Sequence, residues 1–299
     1  MSKREDKVLS LTGLDSSKVS SNQLHQYFSA YLQKGMHGIG FSAYEEGQEP
    51  GDELSLEQVQ RRMAILKPSI KWVRSFSCLQ GNELIPMVAR EMGIKTLVGA
   101  WLGDDLKKNE QEIEGLIKLA KEGYVDIAAV GNEVMYRKDL TEEQLLGYIQ
   151  RVKDAVPEIP VGYVDAYYEF EDHPAITEIC DVILANCYPF WEGCAIEYSL
   201  LYMKDMFRRT QKVAAGKKVI ITETGWPNQG EKFHGAEPSQ ENAIRYFLNT
   251  QRWAQMDDIE IFYFSSFDES WKVGAEGDVG AFWGLWDKDE QLKYSVQLS

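Results

Sequence analysis

Two glutamates stand directly after apolar, β-branched runs: Glu133 in "AAVGNEV" and Glu223 in "VIITETGWP". A carboxyl group at a strand end is held by the sheet rather than by a mobile loop. Two of them facing each other across a cleft divide acid–base work between them. One, protonated, gives its proton to a departing oxygen; the other, ionised, attacks carbon or activates water. Cleavage of an acetal such as a glycosidic bond needs that division. Other strand ends carry aromatic and polar groups: Asn132 beside Glu133, Trp226 just past Glu223, Tyr188, Phe190 and Trp191 in "NCYPFWEG". Asp268, Glu269, Trp271 and Lys272 follow in "SSFDESWK", and Phe41 and Tyr44 in "GFSAYEE". Flat apolar faces with a few placed polar groups are the usual lining of a small-molecule site. Each feature also has an ordinary explanation. A lone strand-end Glu is commonly a solvated loop residue, and rim aromatics are commonly packing. Lys272 near Glu269, as a surface pair, would contribute only about 0–1 kcal/mol. What favours a site is the coincidence of two acids and many aromatics on one inferred rim.

The elements that must position these residues alternate regularly. Strands are expected at 38–43, 71–77, 94–101, 125–131, 159–165, 180–188, 217–223 and 259–267. Amphipathic helices are expected between them at 55–66, 108–122, 141–156 and 239–255. Several helices open on a capping residue followed by acids, as in Thr141-Glu142-Glu143, which satisfies and charges the helix start. Eight strands alternating with helices imply parallel βα units. In just under 300 residues this fits an α/β fold, a single-domain (β/α)8 TIM barrel spanning 37–299. The stretch 1–36, with a helix in "SNQLHQYFSAYLQ", reads as an N-terminal extension or cap. A doubly wound open sheet is the rival, but "SAYEEGQEP" after the first strand lacks a Gly-rich phosphate turn. In a barrel, reacting groups sit at the C-terminal strand ends, and strands four and seven lie on different sides of its mouth.

Composition narrows the partners. The chain has 299 residues and a net charge of −15, from 32 basic and 47 acidic residues. That opposes nucleic acid and anionic membranes and favours a neutral or cationic partner. No run approaches the roughly 18 apolar residues of a membrane span. The start "MSKREDKVLSLTG" lacks the apolar block of a signal peptide. An extracellular or periplasmic location would require a targeting segment removed from it; otherwise the expectation is cytoplasmic. Cys180, Cys187 and Cys194 are spaced at seven. However, if "DVILAN" is a strand, Cys180 and Cys187 lie roughly 23 Å apart, so buried, unpaired thiols are expected for these and Cys78. The four histidines lack ligand spacing; no metal and no cofactor is expected.

"VGNEV" (130–134) and "ITETGWP" (221–227) resemble the two active-site signatures of glycoside hydrolase family 17, the β-1,3-glucanases and related glucanosyltransferases. A looser match runs over roughly 37–294 and looks more like the bacterial and fungal branch than the plant one. The resemblance implies a barrel acting with retention, Glu133 as general acid/base and Glu223 as nucleophile, with Asn132 on the sugar 2-hydroxyl. It aligns Tyr188, Trp226, Phe267, Glu269 and Lys272 with positions that line the glucan cleft or hold the nucleophile; Tyr44, Trp191 and Trp271 join them as rim aromatics. Phe41 stands where many relatives carry Tyr, and Thr224 where the plant motif has Ser. The expected substrate is a β-glucan oligo- or polysaccharide of the laminarin type, cleaved internally by a monomer. A glucanosyltransferase using the same acids, and a non-catalytic glucan binder, are the alternatives. Retention of both glutamates argues against the binder.

Overall fold

We describe the fold from a computed structural model, which covers Gly13, residues 19–274 and residues 276–295. Most of the expected N-terminal extension before residue 19, and the last four residues, lie outside the described residues. Eight strands close a parallel barrel in sequence order: β1 Met36–Gly40, β2 Ile70–Ser75, β3 Lys95–Ala100, β4 Ile127–Asn132, β5 Val161–Ala166, β6 Val182–Asn186, β7 Lys218–Thr224 and β8 Ile261–Tyr263. Each pairs with the next, and β8 returns to β1. The (β/α)8 expectation is met.

The outer layer comprises α1 Ser21–Lys34, α2 Leu56–Leu66, α3 Leu84–Glu91, α4 Leu106–Lys121, a one-turn α5 Val134–Arg137, α6 Glu142–Ala155, α7 Glu169–Asp172, α8 Pro174–Ile179, α9 Ser199–Val213 and α10 Gln240–Asp257. The helix starts follow their local chemistry. Ser20, Ser55 and Thr141 form capping boxes with Gln23, Gln58 and Gln144, each hydroxyl accepting from the third helical amide while the Gln side chain returns to the cap amide.

Two apolar compartments result. Inside the barrel, Leu97, Ile127, Ala129, Val164, Val182, Leu184, Ile220 and Phe262 fill the lower layers. A larger core lies between strands and helices. The helix α1 belongs to that outer core: Leu24, Phe28 and Leu32 are buried. The Phe28 ring lies 4.9 Å from Phe247 of α10 and 5.2 Å from Tyr294, and the Tyr31 hydroxyl donates to the Gln251 carbonyl at 2.8 Å. Both ends of the described chain are thus latched to the same flank of the barrel.

One strand is shorter than its apolar run suggests. The expected strand 259–267 leaves the barrel after Tyr263. Its next amides go elsewhere: Ser265 donates to the Trp283 carbonyl and Ser266 to Gly40, while Leu285 and Trp286 donate back to Ser265 and Ser266. A returning segment therefore takes up the Ser265 and Asp268 amides while Ser266 stays bonded to the end of β1, and the loop 268–286 folds over the barrel mouth.

Register shifts re-aim two strand ends. Along β4–β5, Ala129 faces Gly162 but Asn132 faces Val164, so β4 carries one extra residue. The strand β7 carries one against both neighbours, between Ile221 and Glu223 toward β6 and between Ile221 and Thr224 toward β8. A bulge breaks the two-residue alternation and turns a side chain that would face the helices toward the barrel axis. Both acids singled out in the sequence follow such a bulge.

If α1 is integral to the core, Phe28→Ala should lower unfolding free energy by about 3–5 kcal/mol, read from urea denaturation. A loss below about 1 kcal/mol would show α1 to be a dispensable appendage.

Candidate active site

At the C-terminal mouth, Glu133 and Glu223 occupy unlike environments. Glu223 is 7% exposed, and both of its carboxylate oxygens are held. Oε1 accepts from the Arg74 guanidinium at 2.6 Å and Oε2 from the Tyr188 hydroxyl at 2.8 Å. Burial, followed by the charge of Glu223, holds the Tyr188 phenol well above its ordinary range, so it remains a donor. Arg74 comes from the C-terminal end of β2, 2% exposed inside the barrel. Its second nitrogen donates to Asn132 Oδ1 at 2.6 Å, and its first also reaches the Thr222 carbonyl at 3.1 Å. Because Arg can only donate, the amide oxygen of Asn132 must face it, and the NH2 end points away.

Glu133 is half-buried and accepts one bond, from Asn186 Nδ2 at 2.9 Å. Asn186 is oriented in turn by the Thr222 hydroxyl, which donates to its Oδ1 at 2.9 Å. Burial and then the charge of Glu223 push the Glu133 carboxyl up to about 7. One acid therefore keeps its proton up to about neutrality and the other is anchored by a guanidinium and a phenol, the two linked through Asn132, Asn186, Thr222 and Arg74. Such a pair can protonate a leaving oxygen and attack or deprotonate at the adjoining carbon.

Gly225 explains the "TGW" step. A Cβ there would sit 2.1 Å from the Phe264 carbonyl oxygen, so only glycine lets β7 pass β8 just after Glu223.

The remaining expected residues divide into two groups. Tyr188 touches Glu223, as described. Trp191 is half-buried in an aromatic wall, 5.7 Å from Phe233 and 5.6 Å from Trp283. Trp271 stands edge-on to Tyr44 at 6.1 Å and donates from its indole to Glu269 at 3.2 Å. Glu269 and Lys272 pair at 2.9 Å with both side chains largely buried, so this is no surface pair. Burial opposes the Lys272 charge, but Glu269, Glu276 and Glu223 outweigh it and hold its pKa above the ordinary lysine value. Two residues are corrected as sugar contacts. Trp226 is 1% exposed, its ring against Phe190 and Tyr246 and its indole donating to the Glu237 carbonyl at 3.0 Å. Phe267 is fully buried beneath the Arg62 guanidinium, 4.6 Å from its ring centre. Phe41 is buried as well. A motif fixes a residue's place in sequence; packing decides whether its ring reaches the cleft.

Arg74, Asn186, Trp283 and Glu276 were not singled out from the sequence. Arg74 had a signal, a cation between apolar residues and the end of the strand "KWVRSFS", since buried strands seldom carry an unpaired charge. Glu276 had none. It reaches the site only because the loop after β8 folds back; burial raises its carboxyl, opposed by Lys272. Among the described residues no His/Cys/Asp/Glu cluster has the arrangement of a metal site, and no helix is long and apolar enough to cross a membrane. Cys78, Cys180 and Cys187 are buried and Cys194 half-buried, all as free thiols.

Residues 38–284 match the family model described as the BtgE/BtgC glycoside hydrolase domain. The chain belongs to this glycoside hydrolase family. It is 28% identical to a glucan 1,3-beta-glucosidase of Candida albicans over 77% of this chain and 83% of that protein. With the glucan 1,3-beta-glucosidase of Saccharomyces cerevisiae it shares 27% identity over 86% and 91%. Its fold is similar to that of a glycoside hydrolase family 17 β-1,3-glucanosyltransferase from Rhizomucor miehei, with a TM-score of 0.78 and 27% identity, covering 87% of this chain and 96% of that one. The resemblance to family 17 is thereby borne out, and the chain is a glycoside hydrolase.

Two outcomes follow from the unequal acids. Glu133 is raised from 4.5 to about 7 on folding, so the folded state is favoured by its protonation. That stability is complete below about 4.5 and lost as pH rises through 7, by up to about 3 kcal/mol. Glu133→Gln, lacking this loss, should gain stability over the parent protein at pH 8 relative to pH 4.5 in urea melts. Equal differences at the two pH values would contradict it. Arg74→Ala should cost about 3–5 kcal/mol by stranding the Glu223 carboxylate, with part recovered in Arg74→Ala/Glu223→Gln. No recovery in the double variant would mean the pair is not what Arg74 secures.

Proposed function

We propose that this glycoside hydrolase cleaves β-1,3-glucan with retention, Glu223 acting as nucleophile and Glu133 as acid/base. The observation that carries the reading is the contrast between the two acids, one pushed to about 7 and one anchored by Arg74 and Tyr188. The likeness to glucan 1,3-beta-glucosidases supports the substrate class.

In the first step a Glu223 oxygen bonds to the anomeric carbon while the bond from that carbon to the glycosidic oxygen breaks. The departing oxygen takes the proton of Glu133. In the second, water bonds to the anomeric carbon, its proton passes to the Glu133 carboxylate, and the ester to Glu223 breaks. Each acid ends as it began. As negative charge leaves Glu223 in the first step, the field that raised Glu133 weakens, which suits its change from acid to base. Asn132, its oxygen fixed by Arg74, offers an NH2 group for a sugar hydroxyl.

A second reading replaces water by a sugar hydroxyl, giving transglycosylation. It is favoured by the similarity over most of both chains to a β-1,3-glucanosyltransferase. The half-buried Trp191 and exposed Phe233, backed by the buried Trp283, also give an acceptor sugar a flat face.

Incubation with a linear β-1,3-glucohexaose, with products sized by mass spectrometry and the new anomeric centre followed by proton NMR, tests both readings. Shorter β-configured products are expected; products longer than six units would make transfer the main activity, and α-configured products would overturn retention. Glu133→Gln should lower kcat about 10²–10⁴-fold, and Glu223→Ala should leave only background. The kcat/KM of the parent enzyme should fall as pH rises through about 7, where Glu133 loses its proton; a flat profile from pH 6 to 8 would remove Glu133 from the acid role.

A further inference from the structure

Glu133 is held in an unusual backbone conformation, φ 53° and ψ 34°. A non-glycine residue there costs roughly 1–2 kcal/mol, so surrounding structure must impose it. The supports come from one strand. The Glu133 amide donates to the Val164 carbonyl at 2.8 Å. The next free amide, Met135, donates to the Tyr163 hydroxyl at 2.9 Å and to Asp165 Oδ2 at 3.2 Å. Tyr136 donates to the same oxygen at 3.3 Å. Tyr163 in turn hydrogen-bonds Asp165, whose other oxygen accepts from the Ala166 amide at 2.7 Å. Asp165 is fully buried and Tyr163 nearly so. A buried carboxylate spent on three backbone amides and one phenol beside another acid is costly unless it secures something.

We propose that Asp165 and Tyr163 are positioning residues for Glu133, a clamp from β5 that fixes the turn carrying the acid and so aims its carboxyl at the glycosidic oxygen. The proposal rests on reading Glu133 as the acid/base. The clamp also acts through charge. The groups facing Glu133 are Asn186 from β6, Glu223 from β7, Asp165 from β5 and Arg137 from α5; burial and Glu223 raise it most, Asp165 adds to them, and Arg137 opposes. Those facing Asp165 are Tyr163, Tyr168, Glu169, Glu133 and the amides of Met135, Tyr136 and Ala166. Burial raises Asp165 to about 6, below the value of about 7 for Glu133, so most of it is ionised where Glu133 loses its proton. Asn at 165 would lose the charge and leave one acceptor oxygen where two are used.

The test compares Asp165→Asn, Tyr163→Phe and Glu133→Ala on two substrates: the β-1,3-glucohexaose, and 2,4-dinitrophenyl β-laminaribioside, whose leaving group departs without a proton. Thermal melts and circular dichroism confirm that each variant is folded. Asp165→Asn and Tyr163→Phe should lower kcat on the hexaose about 10–100-fold with little change in KM, since a misplaced catalytic group is costly. The burst of dinitrophenolate should stay within about threefold of the parent, because that step needs no acid. In Asp165→Asn the alkaline limb of kcat/KM should move to lower pH, by roughly 0.5 unit or more, since a negative neighbour is gone. Equal losses on both substrates, or near-parent kcat with an unmoved limb, would overturn the clamp. Glu133→Ala tells failure of the clamp from failure of the acid assignment. A loss confined to the hexaose supports Glu133 as the acid that the clamp aims, whereas equal loss on both substrates removes Glu133 from that role and the clamp with it.

Discussion

The ion pair between Arg74 and Glu223 is the contact around which the mouth of the barrel is built. A guanidinium inside a barrel is costly to desolvate, and it is tolerated because it donates to a carboxylate, an amide oxygen and a backbone carbonyl at once. Those bonds fix Glu223 from one side while Tyr188 fixes it from the other. They also set which way Asn132 faces. The charge so anchored is, after burial, the largest cause that lifts Glu133. A single buried cation thus organises both acids, although it lies on neither of their strands.

Bulges in β4 and β7 are the backbone counterpart of that pair. In a regular parallel barrel every second residue faces the axis, and a lower core of Leu, Ile, Val and Phe uses that alternation. One extra residue near the end of each acid-bearing strand breaks it where the apolar filling stops and polar groups begin. Rigidity comes from the ladders below, and direction from the irregularity above. The half-buried Trp191 beyond rests on the buried rings of Phe190 and Trp283, with Trp226 behind Phe190. Trp226 thereby supports the cleft wall without forming its surface.

Much of this was legible in the chain itself. Eight apolar runs alternating with amphipathic segments specify a barrel because a parallel strand needs a crossover, and helices are the stable way to make one. Ser55 and Thr141 announce their helices because the first amides of a helix need acceptors. Glu133 and Glu223 are readable because acids directly after such runs have only the strand ends to occupy. Where local pattern competes with distant partners the reading fails. The run 259–267 has the composition of one long strand, yet only Ile261–Tyr263 forms a barrel strand, because the returning Trp283 and Trp286 take the Ser265 and Asp268 amides.

The sequence by itself determined the fold, the family and the two acids, since these depend on periodicity and on motifs contiguous in the chain. Only the tertiary structure decided which neighbours raise Glu133 and which anchor Glu223. Arg74, Asp165, Asn186 and Glu276 come from four separate segments, and their effect on Glu133 or Glu223 depends on distance and burial. Whether an aromatic such as Phe267 meets sugar or core was decided in the same way. Electrostatic fields and solvent exclusion act through space, and composition and spacing along a chain do not encode which distant side chains will share one dry pocket.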